Sequence, residues 1–407
     1  MREPYRLFFP LGIVLAWSGV GHWFLHAVTV SAESWPFDQR SGPLWLLASQ
    51  LALVEDYRPV FHSIVQIQGF MTSFAAGFLF TMIPRRTASE VAAPWQLATV
   101  ASLLPATALA AWFGRLALSQ ILWLLAIAVL ASFVIPRLAW KGQRRPPTSF
   151  VWIPLALAMG VTGSLFTGAF GVLGEQYLWL HNLGRLFLLQ GMFLGLIVGV
   201  GGLVIPFFTR GAPPPDAGSG NGDRLLIVLH LGAAVLLIES FVLEVFVSVR
   251  WASVLRATVV LGALALAAGI WRRPSLPGLH RRLMWLSSWL IPSGYLLAAA
   301  FPEQRTAALH LVFIGGFATL AFCVAHHVVL GHGGYGALLA AWPPPLIAVT
   351  LLLACALGMR LLVGFDPQHF SMWLGGSAAA FLLASLCWGL FLLPRVLRGA
   401  DPGASGS

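Results

Sequence analysis

Histidine is the residue in this 407-residue chain best suited to chemistry, and its eleven copies are placed unevenly. The stretch "ALHLVFIGGFATLAFCVAHHVVLGHGG", residues 308–334, reads as a membrane-spanning helix, with His310 at one end and His326, His327 and His332 at the other. Neutral imidazole ligates haem iron, copper and zinc, and it also relays protons. His310 and His326 are 16 residues apart, about 24 Å along a helix at 1.5 Å per residue. One cofactor cannot use both ends, so the two sets belong to two places.

The first set joins His310 to His22, His26 and His62. His22 and His26 are four apart, so both project from one helical face. Gln66 follows His62 by one turn and could orient a ring or a water. Four imidazoles from three helices are a candidate cofactor or metal site. The bland alternative is an interfacial aromatic belt with Trp17, Trp23 and Phe61. In the second set, His326 and His327 point about 100° apart, which makes a shared metal awkward. Metal binding, a proton relay, or simple capping of orphan carbonyls at a helix end all remain open for His326, His327 and His332. Two acids in another apolar run are expected to be buried, Glu239 deep in the seventh helix and Glu244 nearer its periplasmic end. Glu239 is read as a proton-relay candidate, and Glu244 has Arg250 and Arg256 as candidate partners.

The elements that must position these groups follow from composition. The chain is 58% apolar and 9% charged, with mean hydropathy +0.83. A soluble domain carries about 25% charged residues, so this is a polytopic membrane protein. Twelve apolar runs are long enough to span: 7–30, 60–83, 97–113, 117–138, 150–170, 183–207, 225–249, 251–271, 283–301, 307–330, 343–364 and 372–394. A bilayer admits only helices or closed barrels. Runs of this length exclude barrel strands, so the expected fold is an all-α bundle of about 12 transmembrane helices. The third run is short, and Pro292 is expected to break the ninth. A single membrane domain, 1–394, would comprise two six-helix halves, 1–207 and 225–394, joined by linker 208–224 and followed by a flexible tail, 395–407.

Arginine and lysine divide 16 to 8 between the two sets of connections. That places both termini in the cytoplasm and suggests a bacterial inner membrane. His22, His26, His62 and His310 then lie toward the periplasm, as do His181 and His369 in connections. His230 and the second set lie toward the cytoplasm. Pro84, Pro136, Pro206 and Pro394 are expected to end the second, fourth, sixth and twelfth helices, each with an arginine just beyond. The net charge of +10 therefore serves topology and attraction to anionic lipid, with no nucleic-acid motif beside it. Cleavage of the first run after Ala32 is disfavoured, because that run is longer than a signal h-region. Cys323, Cys355 and Cys387 read as small buried hydrophobes.

Four segments resemble the NnrS family of haem- and copper-containing bacterial membrane proteins linked to nitric oxide stress. They are "YRLFFPLGIVLAW", "FHSIVQIQGFMTSFAAGFLFTMIPRRT", "LGLIVGVGGLVIPFFTRG" and the opening stretch. The chain departs from the family pattern at several positions. Ile64 and Val65 stand where the family's His-x-His-Glu has its second histidine and Glu. Leu203 stands at an arginine position, and His327 and Tyr335 stand at two more. Of a Leu-His-x-Gly-Tyr motif only Gly294 and Tyr295 match, with Pro292 at the histidine. The resemblance therefore carries over to His62, His310 and His332.

What it implies is a haem b site, with copper besides, and nitric oxide or a related small molecule as ligand. Turnover, sensing and protection are all compatible with it. Two other readings stand beside it: a proton-coupled transporter using Glu239, with the Gly- and Pro-rich sixth and ninth helices, and a nitric oxide redox enzyme, for which clustered ligands are few.

Overall fold

A computed structural model describes residues 3–33, 58–139, 141–142, 144–212 and 220–398. Most of the first long connection, the middle of linker 208–224 and the end of the tail lie outside the described residues. The described residues are helical, without strands. The twelve apolar runs become twelve long helices. They are α1 (Tyr5–Glu33), α2 (Pro59–Thr87), α3 (Pro94–Trp112), α4 (Leu116–Ala139), α5 (Trp152–Leu173) and α6 (Glu175–Arg210). Then follow α7 (Gly220–Phe246), α8 (Val249–Ala268), α9 (Leu279–Ala300), α10 (Arg305–His332), α11 (Pro344–Phe365) and α12 (Phe370–Arg398). Eleven are long and apolar enough to cross a bilayer, α3 being the exception. The protein is a multi-pass, all-helical membrane protein.

Three helices are central. The spanning windows of α2, α6 and α10 are 89%, 83% and 67% buried, against 28–56% for the others, so these three form the inner layer. Outer helices pack mainly on chain neighbours, and α1 closes the ring against α12. Where α5 meets α6, Gly163 and Gly184 face one another. A Cβ on Gly163 would come within 2.6 Å of the Gly184 carbonyl, so only glycine permits this approach.

Each inner helix contains a π-helical segment: Val65–Met71 in α2, Phe187–Gly191 in α6 and Leu311–Ala318 in α10. Widened turns of this kind leave carbonyls without their usual partner and recur at functional sites. Two threonines take up such carbonyls. Thr72 Oγ1 donates to the Ile67 carbonyl at 2.8 Å, and Thr319 Oγ1 to the Ile314 carbonyl at 2.7 Å.

Prolines act differently from the expectation. α2, α4, α6 and α12 run three or four residues past Pro84, Pro136, Pro206 and Pro394, to Thr87, Ala139, Arg210 and Arg398. Nor does Pro292 break α9, which is continuous from Leu279 to Ala300. Proline removes one N–H and crowds one carbonyl, and packing on both sides tolerates that loss.

Polar ties hold the layers together. Gln68 and Gln120 exchange both amide hydrogen bonds at 2.9 and 3.0 Å, and Ser164 donates to Gln120 Oε1 at 2.8 Å, joining α2, α4 and α5. Glu244 is buried on α7 and accepts from Arg256 of α8 and Arg305 of α10, both at 2.7 Å. Arg256 was an expected partner, whereas Arg305 takes the place expected of Arg250. Glu239 corrects the expectation more sharply. It is exposed on the outer face of α7, away from the interior.

Candidate functional site

α1 begins at what we call the N-terminal end of the bundle and finishes at the far end. At the far end, α1, α2, α6, α10, α11 and α12 surround a cavity of about 190 Å³. His62 and His310 both line it. All three π segments contribute to its wall, through Phe70 of α2, Leu189 of α6 and Phe317 of α10 among others. The widened turns are therefore concentrated where the histidines meet.

Both rings have assigned tautomers, because a carbonyl can only accept. His62 donates Nδ1–H to the Gly19 carbonyl at 3.1 Å, and its Nε2 has no hydrogen-bond partner among the described residues. Trp23 stacks on the ring at 3.7 Å between centroids and 12° between planes, fixing its orientation. A Cβ on Gly19 would lie 2.6 Å from Gln66 Nε2 and displace that side chain. Gln66 does not orient His62 as expected. It donates to the Ala16 carbonyl at 2.9 Å and pins α2 to α1. His310 donates Nδ1–H to the Thr306 carbonyl at 2.7 Å, and its Nε2 accepts from Arg360 Nε at 3.0 Å. The Arg360 guanidinium in turn lies 4.7 Å over the Trp23 ring. Arg360, Trp23, His62 and His310 are thus one connected group.

The helix 1 pair does not complete a four-imidazole cage. His22 is buried edge-on against Phe61 and Trp112, each 5.7 Å away between centroids, in a different groove lined by α1, α2 and α3. His26 is half-buried and is not part of the cavity wall. His22 thus faces α3 rather than the centre.

The second set also regroups. His327 shares a 3.0 Å hydrogen bond with His280 and stacks on Phe208 at 3.6 Å. His326 lies 5.1 Å from His280 between centroids, and both its ring nitrogens are buried without a hydrogen-bond partner among the described residues. His332 stands apart, accepting from Arg85 and packing 5.4 Å from Tyr5. His230 accepts from Trp152 Nε1 at 3.1 Å. Among the described residues, no three His, Cys, Asp or Glu side chains gather so as to hold a metal ion by themselves.

Sequence reasoning missed His280, Arg360 and Arg185. His280 precedes its apolar run in "PGLHRRL", where it looks like part of a connection. The two arginines were read only as topology charges, although an arginine inside or against an apolar run is itself a signal.

A family profile for NnrS protein matches residues 1–399. The chain belongs to the NnrS family. No curated protein matches it. The NnrS match spans every element just described, from α1 to the end of α12. It also bears out the resemblance read from the four segments. The cavity residues His62 and His310 sit in two of those segments, and the π turns of α2 and α10 follow directly after them.

Proposed function

We propose that this NnrS-family membrane protein binds haem or copper through His62 in the far-end cavity and serves the response to nitric oxide stress in a bacterial inner membrane. The observation that carries the reading is the state of His62. Imidazoles that ligate a metal characteristically give their other N–H to a carbonyl or carboxylate. His62 does this with Gly19, and its Nε2 has no partner among the described residues, on a ring that lines the cavity. His310 offers a second imidazole once Arg360 releases its Nε2. His62, with His310 beside it, would hold copper or haem iron, both of which take neutral imidazole. The volume as it stands matches an ion with a diatomic ligand, and a porphyrin would need the walls to part.

A bound metal would supply the affinity for nitric oxide. The chain's own residues orient the ligand ring and exclude water. Toward the N-terminal end a second, apolar pocket of about 110 Å³ shares Met71 and Phe317 with the cavity. An uncharged diatomic gas partitions into such a lining, whereas ions do not. The transporter reading loses its proton relay, because Glu239 faces outward. The redox-enzyme reading needs a dinuclear ligand set that the described residues do not assemble.

Metal analysis and an absorption spectrum of detergent-purified protein test the proposal. Bound metal or a Soret band is expected in the wild type, falling at least tenfold in His62→Ala. Colourless, metal-free wild type from haem-replete cells would overturn the reading, as would full retention in His62→Ala.

A further inference from the structure

A different space opens at the N-terminal end of the bundle. There α2 packs mainly on α1 and α4, and α6 mainly on α5 and α8, so these two inner helices stand apart. With Val328 and His332 of α10 they line a groove of about 660 Å³. Its lining divides by chemistry. Phe78, Met82, Leu203 and Phe207 are apolar, and Phe207 is exposed, which puts the groove within reach of lipid. Arg85, Arg86 and His332 bring nitrogen donors, and no carboxylate is among the lining residues. Arg85 donates to His332 and lies 4.0 Å from Glu3, which Arg6 already holds. Arg86 makes no hydrogen bond or ion pair among the described residues. Arginines at the C-terminal end of a helix also complement its dipole, but that role calls for no apolar groove beside them.

An amphiphile satisfies both halves of such a lining. Guanidinium groups bind phosphate oxygens through paired N–H donors, and basic pockets between transmembrane helices hold anionic lipid headgroups. The apolar walls suit an acyl chain and offer nothing to an inorganic anion. A groove of about 660 Å³ also lies within the roughly 300–1,000 Å³ of sites for small organic molecules. We propose that the groove between α2, α6 and α10 binds one anionic phospholipid. Its phosphate sits on Arg85 and Arg86, and an acyl chain runs along Phe78, Met82, Leu203 and Phe207. The lipid then bridges α2 and α6 where the protein leaves them apart. The site lies at the opposite end of the bundle from His62 and needs no metal there.

Native mass spectrometry of the purified full chain, stripped of lipid by detergent exchange and titrated with phosphatidylglycerol, reads the site. Phosphatidylcholine and inorganic phosphate are titrated in parallel. One phosphatidylglycerol per chain is expected, held about tenfold more tightly than phosphatidylcholine, with no competition from phosphate. Arg86→Gln removes a side chain that ties nothing else together, so the fold should stand. It should weaken phosphatidylglycerol roughly fivefold, the effect of one cation at a lipid surface. Arg85→Gln combined with Arg86→Gln should weaken it roughly 25-fold. Leu203→Trp, which fills the apolar wall, should weaken it as well. Arg144→Gln with Arg145→Gln removes equal charge from exposed positions at the same end, outside the groove, and should change nothing. Equal binding of phosphatidylcholine overturns the proposal, as does full retention in the Arg85 and Arg86 double variant. Equal weakening by the Arg144 and Arg145 pair would show only diffuse charge and overturns it too. Phosphate bound as tightly as the lipid, or a Leu203→Trp variant that binds like wild type, would remove the acyl chain from the groove and the proposal with it. Metal loss in His62→Ala is a separate reading and is unaffected by any of these results.

Discussion

At the scale of single residues, the far end of the bundle is organised by side chains that membrane burial makes expensive. Arg256 is fully buried, and it donates to Glu244, Ser240 and Gln190 while facing Phe241 at 4.3 Å. Deleting one partner of a buried pair strands the other charge, at a cost of about 3–5 kcal/mol. Arg256→Leu should therefore lower the thermal midpoint in detergent markedly. The double variant Arg256→Leu with Glu244→Leu should recover much of that loss, because no charge is left alone. Arg305 is the complication, since it also donates to Glu244 and is itself 42% exposed. It is expected to turn to solvent in the double variant. Arg360 acts at the same scale on the site. Arg360→Ala should release His310 Nε2 and raise the amount of copper bound per chain, read by metal analysis, while leaving His62 on Gly19.

At the scale of elements, α2, α6 and α10 do what the outer helices do not: they are largely buried, and each widens into a π turn beside the cavity. Interhelical hydrogen bonds in membranes contribute roughly 0.6–2 kcal/mol each. Gln120→Leu should therefore loosen α2 from α4 and α5 by about 1–3 kcal/mol in a denaturation series, since it also strands Gln68 and Ser164. This is the scale at which the sequence was most and least informative. Among the described residues, long apolar runs picked out each of the eleven helices able to span, because nothing else satisfies backbone groups in lipid. The π segments left no trace, because "VQIQGFM" and "LVFIGGFA" have the same apolar character as ordinary helix. Glu239 was placed wrongly for a related reason. α7 is apolar on nearly every side, so its composition does not reveal which face turns inward. His62 and His310 were legible because a polar ring in an apolar run is conspicuous. His22 was grouped with them because depth could be read from the sequence, whereas the face that meets α3 could not.

At the scale of the whole molecule, the two ends hold separate histidine groups. His62 and His310 share the far-end cavity, and His280, His326 and His327 cluster at the N-terminal end. A separation of about 24 Å along one helix requires two places, and the neighbouring helices decide which histidines join each. The arginine imbalance predicts that the N-terminal end faces the cytoplasm. A reporter active only in the cytoplasm, fused after residue 407, should be active, and the same reporter inserted between Phe365 and Pro367 should be silent. Reversed activities would turn the bundle over and put the His62 cavity on the cytoplasmic side.

The most direct measurement is an experimental structure of the protein as isolated from its own membrane. The account predicts metal or haem density bonded to His62 Nε2 within the cavity bounded by α2, α6 and α10, with Nδ1 still on the Gly19 carbonyl. Density for a cofactor on His280, His326 or His327 alone, with the His62 ring turned to hydrogen-bond its surroundings through both nitrogens, would contradict it.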